Sequence, residues 1–108
     1  MVKRLNKCYY VYIMASLSRV IYVGFTDCLV KRTKQHKVGF YDGFSKKYKT
    51  NRLVYWESFY SKTEATSRER QLKGLRREKK VKLINSANPE WKDFYSDVLE
   101  LQKRRPVI

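Results

Sequence analysis

The sequence predicts an α+β fold: a small three-stranded antiparallel sheet flanked by helices, in the order β-β-α-β-α-α. Three observations carry this reading. Residues 9–14 and 20–25 are rich in β-branched and aromatic types and flank the short polar connection "ASLSR", the pattern of a hairpin. A third run of the same kind, "RLVYWESFY", occupies residues 52–60. Elsewhere the apolar residues recur at helical spacing between cap and stop signals.

Each remaining element follows from local chemistry. In "TDCLVKRTKQHKVG", Thr26 can cap a helix, Asp27 suits its first turn and Gly39 offers a stop, which predicts a helix over 27–37. The stretch "FYDGFSKKYKTN", residues 40–51, holds Gly, Asp, Ser and Asn among lysines and reads as a loop able to lie on a phosphate backbone. Residues 61–84 open with a capping box, Ser61 with Glu64, and carry Ala65, Leu72, Leu75 and Leu83 at helical spacing. Gly74 is expected to bend or divide that helix. Asn88 as cap and Pro89 at the first helical position predict a last helix.

With 108 residues the chain has room for one modest core, so a single domain over 1–108 is expected, its core at about 8–95 and a basic tail at about 102–108. The formal net charge is +15, from 25 Lys plus Arg against 10 Asp plus Glu. So large an imbalance points to a polyanionic partner, with nucleic acid first. No apolar stretch approaches the ~20 residues of a membrane helix, and "MVKRLNKCYY" lacks the apolar core of a secretion signal. A soluble, cytoplasmic protein without a membrane partner is expected. Cys8 and Cys28 are too few for a zinc site and read as reduced packing residues.

Side chains alternate along a strand, so Val11 and Ile13 share one face of the first run and Tyr10, Tyr12 and Met14 the other. Ile21, Val23 and Phe25 match the aliphatic set, leaving Val20, Tyr22 and Gly24 opposite. A turn centred on Leu17 would place Val11 across from Val23, Ile13 from Ile21 and Tyr12 from Tyr22. The two tyrosines then lie together beside Gly24, where a bulky group can approach the backbone. An aromatic cross-strand pair is the plain account of them.

Arg32 and His36 stand four apart on the first helix and share its face. Arg32 can hold a phosphate oxygen, and His36, the single histidine, ordinarily titrates near neutral pH. A solvated basic face among Lys31, Lys34 and Lys37 is the plain alternative. Glu69 lies four residues after Ala65 and three before Leu72, on the stripe expected to face inward. Such a carboxylate suits a divalent cation, which is typically held by one or two carboxylates with water and phosphate. Its plain alternative is a helical ion pair with Lys73. Glu57 is a second acid or a rim charge.

Together these residues resemble the GIY-YIG nuclease superfamily, within its small stand-alone domains related to the N-terminal nuclease of the bacterial excision-repair enzyme. The motif pair stands here as "VYI" with Tyr12 and "YVG" with Tyr22 and Gly24. Arg32 follows Tyr22 by ten residues, then come His36 in "KRTKQH" and Glu69 in "SRERQLKGL". "KYKTNRLVYWESF" and "INSANPEW" also resemble segments of these proteins, and the likeness covers about residues 8–95.

The resemblance implies the GIY-YIG nuclease fold and a metal-dependent endonuclease acting on DNA or RNA. It implies one Mg²⁺ or Mn²⁺ on Glu69, a phosphate oxygen on Arg32, and Tyr12, Tyr22 or His36 moving the proton of the attacking water. Structure-selective cleavage in DNA repair or recombination by a monomer, with a protein partner for targeting, is the expectation. Lys31, Lys46, Lys47, Lys49 and Arg68 would contact the nucleic acid. The first motif has Val11 with Tyr10 before it, so the glycine of the family name is missing, and Phe25 stands where the repair nucleases have a lysine, so Lys46, Lys47 or Lys49 would supply that charge. The alternatives are a non-catalytic nucleic-acid-binding module on the same fold and an RNA- or ribosome-associated basic protein.

Overall fold

In the order β1 (Tyr9–Ala15), β2 (Ile21–Thr26), α1 (Leu29–Lys37), β3 (Arg52–Phe59), α2 (Lys62–Gly74), α3 (Arg77–Ala87) and α4 (Tyr95–Arg104), the described residues build one antiparallel sheet with these four helices packed around it. The structure is a computed structural model that describes residues 8–39 and 47–104. Strand order is β2-β1-β3, so β1 is central and Val11 through Ala15 are buried. The predicted α+β class holds.

The hairpin register differs from the sequence expectation by two residues. Val11 pairs with Phe25, Tyr12 with Gly24, Ile13 with Val23 and Met14 with Tyr22. The turn sets this. Ser16 N donates to Val20 O at 3.0 Å and Arg19 N to Ser16 O at 2.9 Å, so the loop is Leu17-Ser18-Arg19 and is centred on Ser18. Arg19 takes the left-handed position with φ 67°, which three-residue hairpin loops place at their end. A shift of two leaves every side chain on its expected face, so Tyr12 and Tyr22 still share one.

Each face of the sheet carries its own core. Val11, Ile13, Ala15, Val23 and Val54 pack with Ala65 and Leu72 of α2, Ile84 of α3 and Trp91. On the other face Tyr12, Met14 and Leu53 pack with Leu29 of α1 and Val98 of α4. Full burial of one such aliphatic side chain contributes about 1.5–3 kcal/mol, so both faces hold the sheet between helix layers. β1 also pairs with β3, with an irregularity between Ile13 and Met14.

Helix boundaries show where local signals were overruled. Helix α1 starts two residues later than predicted, because the Thr26 hydroxyl accepts from Cys28 N at 3.0 Å and shapes the approach instead of capping the helix. Gly39 does end it, at φ 69°. Ser61 caps α2 by accepting from Glu64 N at 3.2 Å. The predicted 61–84 helix is divided after Gly74, where Leu75 and Arg76 take extended backbone.

Asn88 closes α3 rather than opening α4. Its amide donates to Val54 O at 3.0 Å and Lys92 O at 2.8 Å, and its oxygen accepts from Lys92 N at 3.0 Å. These long-range bonds hold an irregular segment in which Trp91 is buried at φ 55°, and α4 starts only at Tyr95. Asp93 prepares that start by accepting from Tyr95 N at 3.0 Å.

Candidate active site

Strand alternation and the turn bring three rings together on the α1 face. Tyr12 comes from the central strand, Tyr22 from β2 and His36 from the last turn of α1. Tyr12 Oη lies 2.9 Å from His36 Nε2, in a buried hydrogen bond. The Tyr22 ring centroid stands 5.0 Å from that of His36 and 6.3 Å from that of Tyr12. Tyr12 is 1% exposed and His36 4%, so the pair sits in a low-dielectric setting where a hydrogen bond is strengthened.

Gly24 makes this arrangement possible. Directly across from Tyr12, a Cβ at position 24 would lie 2.5 Å from both Cζ and Oη of the Tyr12 ring. The bulky group expected to approach the Gly24 backbone is therefore the neighbouring tyrosine itself. Any side chain here would push the phenol away from His36.

His36 is held neutral. Burial, and after it the positive charge of Arg32, lower its pKa from the ordinary 6.5 to about 4. At physiological pH its imidazole therefore has one nitrogen that accepts, and the tautomer decides whether Nε2 accepts from or donates to Tyr12 Oη. Tyr12, Tyr22 and His36 thus form one cluster over Gly24, and Arg32, one turn before His36 on α1, bears on it through its charge.

Helix α1 is pinned by a residue that the sequence reading passed over. Lys37 forms an ion pair with Asp93 and donates to Asn51 O at 3.0 Å. Asp93 also accepts from Leu53 N at 3.0 Å. One carboxylate thus ties α1, β3 and the start of α4 beside His36.

Glu69 comes from a different helix. It lies on α2, whose buried residues pack on the aliphatic face of the sheet. Its side chain is 22% exposed, and Oε2 meets Lys73 Nζ at 3.0 Å. Among the described residues no three His, Cys, Asp or Glu side chains cluster as metal ligands. A single half-buried carboxylate is still a fitting hard-oxygen donor for Mg²⁺, which keeps several waters and takes the rest of its shell from phosphate.

The surface cations are spread. Lys31, Lys47 and Lys49 are exposed, the last at φ 56°, while Lys46 lies outside the described residues. Arg68 grips Glu57 through Nε and one terminal nitrogen, both at 2.9 Å, and donates to Gln71 Oε1 at 2.7 Å. Burial pushes the Glu57 carboxyl up, but the hydrogen bonds from Arg68 and Tyr55 outweigh it and hold the group below the usual range. Phe25 stacks on Tyr9 at 6.1 Å. At the end of β2, Arg32 lines a cleft of about 320 Å³ with Lys62, Thr26 and Asp27. No helix among the described residues is long and apolar enough to cross a membrane.

Comparison with known proteins places this geometry. Residues 8–82 match the model of the GIY-YIG catalytic domain, a span that includes all three strands, Tyr12, Tyr22, Arg32, His36 and Glu69. The chain is similar to the solution NMR structure of the UPF0213 protein BH0048 from Bacillus halodurans. The two share 30% sequence identity, over 80% of this chain and 92% of that one, with a TM-score of 0.53. No curated protein matches the chain.

Proposed function

This chain belongs to the GIY-YIG family of nucleases, and from that premise we propose that it is a divalent-metal-dependent endonuclease of DNA, selective for branched, nicked or flapped structure. The observation that carries the catalytic reading is the buried 2.9 Å contact between Tyr12 Oη and a neutral His36. Any buried phenol needs a hydrogen-bond partner. A neutral imidazole in that place can also take a proton, which suits a relay.

In this mechanism an attacking water gives its proton to Tyr12 Oη as the Tyr12 proton passes to His36 Nε2. The water oxygen bonds to phosphorus and the P–O bond to the leaving nucleoside breaks. Arg32 binds a non-bridging oxygen and counters the charge that grows there in the transition state. The same phosphate offsets the field of Arg32 on His36, the smaller of the two causes that lower its pKa, so the imidazole gains some basicity once substrate is bound while its burial persists. Tyr22 orients the water beside Tyr12. A positioned relay of this kind contributes roughly 10²–10⁴-fold in rate.

Glu69 is the residue that would hold Mg²⁺ or Mn²⁺, and the bound ion would stabilise charge on the phosphate and the leaving oxygen. Lys31, Lys47 and Lys49 would steer the backbone, and DNA repair or recombination is the process this chemistry suits. A second reading, a binding module without turnover, has one observation in its favour: the Glu69 carboxylate is engaged by Lys73.

Incubation of the purified chain with supercoiled plasmid and branched oligonucleotides, in Mg²⁺, Mn²⁺ or chelator, separates the two readings. The endonuclease cleaves only with metal, and Glu69→Ala lowers its rate at least a hundredfold. Salt-sensitive binding without cleavage under every condition supports the module instead.

A further inference from the structure

Asp27 borders two cavities of opposite character. On one side is the cleft at the end of β2, whose lining includes the cations Arg32 and Lys62. On the other is a cavity of about 310 Å³ between α1, α4 and the sheet. Among its described lining residues there is no Lys or Arg, although the chain carries 25 of them. Its walls are the rings of Tyr10 and Trp56, which meet edge to face at 6.0 Å, with Leu29, Val98 and Leu101. The one charged side chain on its described rim is Asp27.

These linings select different parts of a nucleotide. A cleft with two cations takes phosphate. An aromatic and aliphatic slot without cations repels a phosphate by desolvation, but accepts the face of a heteroaromatic ring, and a carboxylate at its rim can accept from an exocyclic amino group. Its volume lies at the lower end of the ~300–1,000 Å³ typical of small-ligand sites, as a single base would require.

We propose that this cavity receives one unstacked nucleobase of the bound strand, next to the phosphate held in the Arg32 cleft. The inference rests on the endonuclease reading for the place of the phosphate and extends it to the substrate. A base can enter only where it is already unpaired or easily extruded, so the cavity favours flaps, gaps and junctions over continuous duplex. Structure selectivity thereby arises inside this small domain.

The test is an abasic scan of a flapped oligonucleotide, with affinity measured by fluorescence anisotropy in chelator so that hydrolysis plays no part. One position near the branch should weaken binding about tenfold when its base is removed, as expected for loss of one stacked base. Val98→Phe, which fills the cavity, should reduce that difference to less than twofold. Trp56→Ala provides the same test should Val98→Phe fail to fold. Equal affinity at every abasic position, or an undiminished difference in the filled variant, overturns the proposal. Because cleavage is assayed separately in metal, an intact scan with no cleavage keeps the base site and removes the endonuclease, and the reverse result does the opposite.

Discussion

The two faces of β1 are buried to the same degree and serve different ends. Val11 and Ile13 are 0% exposed on one side, and Tyr12 is 1% exposed on the other. The first face meets α2, α3 and Trp91 with aliphatic side chains that need only shape. The second buries a phenol and an imidazole, groups that cost free energy inside a protein unless they pair, and it pairs them with each other. Burial alone therefore does not distinguish scaffold from site; the chemistry of what is buried does.

If this division is right, substitutions on the two faces should part in the cleavage assay. Ile13→Ala on the scaffold face should cost about 2–5 kcal/mol of stability, read as a lower urea midpoint, while the folded fraction keeps its cleavage rate. Gly24→Ala on the site face should lose stability and, in the fraction that folds, activity as well. Its added methyl displaces the Tyr12 ring, so cleavage should fall about a hundredfold in that fraction, as measured by circular dichroism.

An effect of similar size should appear in acid, where it acts on the parent chain. His36 has a folded pKa of about 4 against an ordinary 6.5, so the unfolded chain takes up the proton first. Stability should be flat above about 6.5, fall as pH drops toward about 4, and level off below. Melting temperatures across that range should decline by more than about 10 °C in the parent chain and lose this dependence in His36→Gln.

What could be read in the sequence was whatever depends on period. The alternation of Val11, Tyr12 and Ile13 assigned the faces correctly, and the four-residue step from Arg32 to His36 put both on one helix. The register was not legible, because a pattern of period two is unchanged by a shift of two. The left-handed Arg19 decided it, and through it the opposition of Tyr12 to Gly24. Asn88 carried a helix-start signature, yet its bonds to Val54 and Lys92 made it an end. Asp93 was missed because its value lies in joining three distant segments.

The central claim is that Tyr12 does chemistry while its equally buried neighbours hold the sheet. Single-turnover cleavage of a branched oligonucleotide by Tyr12→Phe, beside Ile13→Val as the matched scaffold change, tests it most directly. The account predicts at least a hundredfold loss for Tyr12→Phe, which removes one hydroxyl and keeps the ring, and a rate within twofold of the parent for Ile13→Val. Parental cleavage by Tyr12→Phe would contradict it and return the tyrosine face to packing.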